Sequence, residues 1–195
     1  MIVYEIPISI QSSGKEYKIR NRGDYRTILD CFQALDDAEL KSTERLMASL
    51  LIFYEDFNSI DDLYKVDDIQ DLAIKMYDFF NCGQKSGGCE SRYRLVDWEN
   101  DSQLICSAIN KVAGYEVRSV DYLHWWTFMG YYTAIGESPI SNIISIREKI
   151  MKGKKLEKYE SEYRRSNPQF FNWNSKTVTD MEAEEYVNQL WNSGD

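Results

Sequence analysis

Proline is scarce in this sequence, with three in 195 residues, so long segments are free of the residue that most effectively breaks a helix. Histidine is scarcer still: His124 stands alone. No metal site can draw on a histidine pair, and any histidine base would have to be this one. Four cysteines, Cys31, Cys82, Cys89 and Cys106, lack metal-ligand spacing: Cys82 and Cys89 are separated by six residues, and no second pair follows. Without a leader ahead of them they read as reduced thiols. The longest unbroken apolar run, Leu50–Tyr54, has five residues, against about 20 for a membrane span. The start, Met1-Ile2-Val3-Tyr4-Glu5-Ile6-Pro7, has neither the basic flank nor the apolar stretch of a secretory signal. Basic charge is in deficit, 23 Lys and Arg against 32 Asp and Glu, a net of −9. That argues against a general nucleic-acid coat, which needs clustered cations to release counterions.

Apolar periodicity is plentiful. Val3, Ile6, Ile8 and Ile10, then Tyr17 and Ile19, flank Ser12-Ser13-Gly14-Lys15 and predict an N-terminal β-hairpin whose first strand, carrying Pro7, is an edge. From Asp24 the spacing turns helical. The predicted stripes are Tyr25, Ile28, Leu29, Phe32 and Leu35, then Leu46, Met47, Leu50, Leu51 and Tyr54, then Ile69, Leu72, Ala73, Met76 and Phe80. Residues 82–92 are a polar, glycine-rich break. A fourth helix starts near Asn100, buries Leu104, Ile105, Ala108, Ile109 and Val112, and ends at Gly114. A fifth runs from Ser119 to Tyr132. Ser138-Pro139 opens a sixth, with Ile140, Ile143, Ile144, Arg147 and Ile150 on one face. A charged helix over 154–165, an aromatic loop at 169–174 and a last helix near 182–192 complete the chain. The expected fold is mainly α: a multi-helix domain with a small N-terminal β-hairpin. Its parts are a hairpin with three helices (1–81), a loop (82–96), an aromatic-rich helical part (97–166) and an aromatic loop with a C-terminal helix (167–195), read as one compact domain.

Charge is unevenly placed. Residues 55–78 hold eight acids and two lysines, residues 147–165 hold eight bases and four glutamates, and the tail from Asp180 has five acids and no base. Such runs are either solvated helix faces or complementary surfaces that meet between copies or on a partner. Catalytic chemistry finds little support. On one helix Asp121 and His124 would share a face, but no nucleophile is placed beside them, and a packed, hydrogen-bonded histidine is the simpler reading. Gly83, Gly87 and Gly88 do not make a phosphate loop, because Lys85 and Ser86 precede the glycine pair. The reading is therefore not an enzyme, with no catalytic residue, no metal and no cofactor.

The aromatic clusters point to binding. Trp125, Trp126, Phe128, Tyr131 and Tyr132 fall within eight residues, too many for one helix face, and Phe170, Phe171 and Trp173 follow in a segment without helical period. Aromatics and Arg are enriched at the centres of interfaces. The candidate partner-binding residues are Trp125, Trp126, Phe128, Tyr132, Arg147, Phe170, Phe171 and Trp173, with core packing as the alternative for each.

The run Asp97-Trp98-Glu99-Asn100-Asp101, the apolar helix to Gly114-Tyr115, Leu123-His124-Trp125-Trp126-x-Phe128 and Ile143-Ile144-x-Ile146-Arg147 resemble the bacteriophage family called gene product fifteen, found in tailed phages of Gram-positive hosts. Asp24-Tyr25-Arg26 looks like that family's Asp-Phe-Arg, and Leu46–Tyr54 and Phe79-Phe80-x-Cys82-Gly83 like its second helix and a helix end. The resemblance covers roughly residues 15–170. The family's genes lie among those for tail morphogenesis. This placement implies a tail-assembly chaperone in the host bacterial cytoplasm that binds the tape measure protein, without catalysis or membrane. The major tail protein, an upstream chaperone and further copies of the chain are possible additional partners. A structural tail component of the virion, and less favourably a regulatory nucleic-acid-binding protein using Arg147–Arg165, stay open as alternatives.

Overall fold

The computed structural model describes residues 5–84 and 94–173. Among them the architecture is mainly helical with a two-stranded antiparallel hairpin at the N-terminal end. The described residues fall into two compact units. The first comprises 5–84 and 122–129, the second 94–121 and 130–173.

In the first unit β1 (Ser9–Ser12) pairs with β2 (Lys15–Lys18), Ile10 opposite Tyr17, across a two-residue turn in which Ser13 and Gly14 both have positive φ, 49° and 75°. That turn matches the right-handed twist of the strands. β1 begins at Ser9, later than the alternation of Val3, Ile6 and Ile8 suggested. The helices are α1 (Tyr25–Asp36), α2 (Ser42–Phe53), the short α3 (Ile60–Leu63) and α4 (Ile69–Phe80). Asp24 caps α1 by accepting the Arg26 N–H at 3.0 Å, and Asp68 caps α4 by accepting that of Asp71 at 2.9 Å. The end of α2 has a more elaborate cap. The Arg20 guanidinium donates to the carbonyls of Leu51, Ile52, Tyr54 and Phe57 at 2.9–3.1 Å, meeting acceptors a helix leaves open at its C-terminus.

The predicted stripes of α2 and α4 are mostly buried, and α2 adds Ser49 and Phe53. On α1 the fully buried face is Tyr25, Thr27, Ile28 and Cys31, while Leu29, Phe32 and Leu35 are half-buried. Small residues allow this pairing: Cys31 Sγ lies 3.7 Å from the Ser49 carbonyl. Burial pushes the Cys31 thiol up to about 12, which leaves it protonated and inert. Phe53, Phe79 and Phe80 pack edge-on with centroids 5.3–5.6 Å apart, and the Tyr54 hydroxyl donates to the Leu72 carbonyl at 2.8 Å.

The second unit holds α5 (Ser102–Ala113), α7 (Pro139–Met151) and α8 (Lys158–Ser166), with 3-10 turns at Val117–Ser119 and Pro168–Phe171. Between α5 and α7 in the chain lies α6 (Trp125–Thr133), whose first residues belong to the first unit and whose last belong to the second. Ser138 and Ser141 cap α7 reciprocally behind Pro139. Four expectations need correction. The helix expected from Ser119 begins at Trp125, because Leu123 and His124 are extended and pair with Asp24 and Tyr25. On α5 the inward face takes Cys106 and leaves Val112 exposed. On α7 the buried face is Ile140, Ile143, Ile146 and Arg147, with Ile144 and Ile150 half-buried. The charged helix starts at Lys158, after an exposed turn. Most of the glycine-rich break and the whole of the expected last helix lie outside the described residues.

Two glycines separate backbone strain from crowding. Gly23 has φ +75°, and a Cβ there would stand 2.8 Å from Phe79 Cζ and 3.1 Å from His124 Nε2; Gly114 has φ +79° with nothing within 4 Å. In urea unfolding, Gly114→Ala should cost about 1 kcal/mol and Gly23→Ala roughly 2–3 kcal/mol. Equal losses would mean that the packing around Gly23 yields freely.

Candidate functional site

The second unit is organised on a charge that water does not reach. Arg147 on α7 and Asp101 at the start of α5 have wholly buried side chains. The guanidinium donates to both Asp101 carboxylate oxygens, at 2.5 and 3.0 Å. It donates further to the Leu95 carbonyl at 2.8 Å, and from Nε and Nη2 to the Phe170 carbonyl at 2.9 and 2.5 Å. Five N–H groups thus make five hydrogen bonds, the full donor capacity of the side chain. Asp101 also accepts the Asp97 N–H at 3.0 Å. The face of the guanidinium lies 4.8 Å from the centre of the Trp173 ring, a cation–π arrangement, and the Trp173 indole donates to the Arg94 carbonyl at 2.8 Å.

The effect is to fix an aromatic turn. The 3-10 turn Pro168–Phe171 would be a loose appendage after α8, but the Phe170 carbonyl is held twice by Arg147 and Trp173 is held at its other end. Phe170, Phe171 and Trp173 are consequently oriented yet only half-buried, and Phe171 packs edge-on to Tyr163 of α8. Tyr132 is also half-buried, with its ring 5.3 Å from that of Trp98. Burial pushes its phenol up to about 12, Asp101 adding to the rise and Arg147 opposing it.

The other three sequence candidates belong to the first unit. Trp125 is buried and its indole donates to the Phe80 carbonyl at 2.9 Å; Phe128 is buried and stacks on Tyr25, centroids 4.5 Å apart. Trp126 is half-buried and donates to the Phe79 carbonyl at 2.9 Å. The two indoles thereby bind carbonyls at the open end of α4. The structure brings Arg147, Phe170 and Trp173 into one cluster and assigns Trp125, Trp126 and Phe128 to another unit. Trp125, Phe128 and Arg147 offer no surface to a partner in this conformation. Asp101, the partner of Arg147, is not among the residues the aromatic clusters point to. The available signal was Arg147 itself, a permanent cation on an apolar helical face, which requires a buried acceptor.

The family model described as Bacteriophage Gp15 protein matches residues 2–170. The chain belongs to that family. It matches no curated protein and no solved structure. The Gp15 match includes Asp101, Arg147 and Phe170 and stops short of Phe171 and Trp173. No helix among the described residues of this Gp15 chain is long and apolar enough to cross a membrane, and no cluster of three His, Cys, Asp or Glu side chains among them could hold a metal.

The single histidine of the Gp15 chain is occupied by the fold. The Trp126 N–H can only donate, so His124 Nδ1, 3.1 Å away, accepts; the Pro7 carbonyl can only accept, so Nε2, 3.0 Å away, carries the proton. His124 is thus the N-cap of α6. The carboxylate beside it is Asp24, whose Oδ2 accepts the Leu123 N–H at 2.9 Å, rather than the Asp121 expected on a shared helix face.

Two measurements follow from these groups. Arg147→Met leaves Asp101 charged and unpaired and should cost about 3–5 kcal/mol, whereas Arg147→Met with Asp101→Leu should recover a good part of that loss. Equal losses in urea unfolding would show that the two side chains are not coupled. His124 has its pKa lowered by burial, which the Pro7 hydrogen bond and Asp24 only partly offset. The unfolded chain therefore takes up the proton first as pH falls. The neutral imidazole's stability is complete above about pH 6.5 and lost as pH drops toward the lower folded value. The melting-temperature advantage of wild type over His124→Asn, which keeps a capping acceptor, should shrink from pH 8 to pH 5. A constant gap would contradict the assigned proton positions.

Proposed function

We propose that this Gp15-family chain is a phage tail-assembly chaperone, which binds the tape measure protein in the host cytoplasm during tail morphogenesis and performs no catalysis. The observation that carries the reading is the anchored aromatic turn. Phe170, Phe171 and Trp173 are only half-buried, yet the Phe170 carbonyl is tied to a buried guanidinium and the Trp173 indole to the Arg94 carbonyl. An amphipathic helix is gripped by apolar side chains held ready for its i, i+3, i+4 anchors, and rings already fixed in place lose less freedom on binding. A tape measure is a long, aggregation-prone helix, which makes it a ligand of that chemistry. The placement of the family's genes among those for tail morphogenesis supports the same partner. The engagement of both His124 nitrogens by the backbone favours binding over chemistry, since a general base needs a free lone pair.

Affinity purification of the tagged chain, co-expressed with the tape measure protein, tests the reading. Wild type should retain the tape measure. Phe171→Ala should reduce recovery at least about tenfold, the loss of one central aromatic anchor, with the chain still folded by circular dichroism. Trp126→Ala separates the two aromatic clusters. If retention depends on Trp126 and not on Phe171, the turn is not the grip, and a chain that never retains the tape measure overturns the proposal.

A further inference from the structure

The two most exposed large apolar side chains among the described residues, Tyr64 at 72% and Tyr159 at 61%, stand in patches of opposite charge. Tyr64 follows the short α3 and is one turn from Ile60, which is 48% exposed. Exposed Asp61 and Asp67 lie beside them in the chain. Farther along, α4 turns Ile74 and Asp78, one turn apart, to solvent. Tyr159 lies in the first turn of α8, where exposed Lys154, Lys155 and Lys158 precede it within five residues. Nearby charges of the basic segment are already used: Lys149 binds Glu160 at 2.6 Å, and Lys152 pairs with Glu148. Lys155, Lys158, Asp61 and Asp67 have no ion-pair partner among the described residues. The two units differ accordingly. The described residues of the first carry nine bases against sixteen acids, and those of the second eleven against ten.

We infer that the acidic patch around Tyr64 on one copy of the chain receives the basic patch around Tyr159 on a second copy. Each patch is an exposed aromatic beside unpaired charge mainly of one sign: Lys65 next to Tyr64 is taken by Asp62 at 3.2 Å, and exposed Glu157 and Glu162 near Tyr159 are outnumbered by Lys154, Lys155 and Lys158. That is the arrangement of an interface with an apolar centre and a charged rim. Because the two patches differ, the contact is heterologous, and copies join head to tail into a ring or an open chain. Patches of this size belong to the weak class of interfaces, so association depends on concentration and salt. The inference is independent of the tape-measure reading, since it concerns purified chain alone.

Sedimentation equilibrium of the full chain tests it. At about 20 mM salt the mean mass should rise with concentration to at least about twice the monomer, and at about 0.5 M salt, where screening acts within a few ångströms, it should return to the monomer value. The monomer is 22.9 kDa. Lys155→Glu with Lys158→Glu makes both patches acidic, and Asp61→Lys with Asp67→Lys makes both basic. Each doubly substituted chain alone should stay monomeric at low salt with an unchanged circular dichroism spectrum. An equimolar mixture of the two should associate, because each supplies the patch the other lacks. Wild type that remains monomeric at every concentration overturns the inference. So does association that survives in either substituted chain alone, or a mixture that does not assemble.

Discussion

A guanidinium removed from water stays charged only if its donors are met, and in this chain that requirement shapes the second unit. Arg147 draws the segment before α5, the first residue of the α5 cap and the turn after α8 onto one side chain. Leu95 lies in a segment without helix or strand, whereas the Asp101 carbonyl also accepts the first bond of α5, from the Ile105 N–H, and the Phe170 N–H closes its turn on the Asn167 carbonyl. Buried pairs of this kind are poor sources of net stability compared with apolar packing, and their value lies in permitting one arrangement over others. The same device recurs in the first unit. Arg20 gathers four carbonyls at the end of α2, and the Trp125 and Trp126 indoles take the last carbonyls of α4. Irregular backbone is thus kept in register by long donors reaching across sequence separations of roughly 25 to 50 residues.

Much of this was legible from the residues. Helices whose apolar positions recur at 3.6-residue spacing, such as Leu72, Ala73, Met76 and Phe80, stand where the periodicity put them, and the Ser-Gly turn set the hairpin. The failures have a common cause. Cys31 and Ser49 are buried where α1 and α2 approach closely, and Thr27 is buried against Asn21; small or polar residues carry no such signal in a hydropathy pattern. Leu123-His124 reads as helix from its neighbours and is extended because its partner, Asp24-Tyr25, lies about a hundred residues away in the chain. Pairing at that distance has no local signature.

The candidate site shows the same division. An unusual density of aromatics between 125 and 132 and between 170 and 173 was visible at once. Which of those rings close the core and which keep an open side depends on where the indole N–H groups find carbonyls and where Arg147 finds Asp101. Burial of Trp125 and Phe128 makes them part of the scaffold, while the turn at 168–171 carries half-exposed rings on a fixed backbone. Membership in the Bacteriophage Gp15 protein family makes this a phage protein. The chaperone role proposed above would use this anchored, part-open aromatic turn to hold an apolar helix without covalent change.

A chaperone and a structural tail component make opposite demands on one observable, the fate of the chain when assembly ends. Quantitative mass spectrometry of purified particles, alongside the lysate that produced them, measures it directly. The account predicts the chain in the lysate in association with the tape measure protein, and particles that contain the tape measure and tail-tube protein without it. A fixed number of copies in every finished particle would contradict the account.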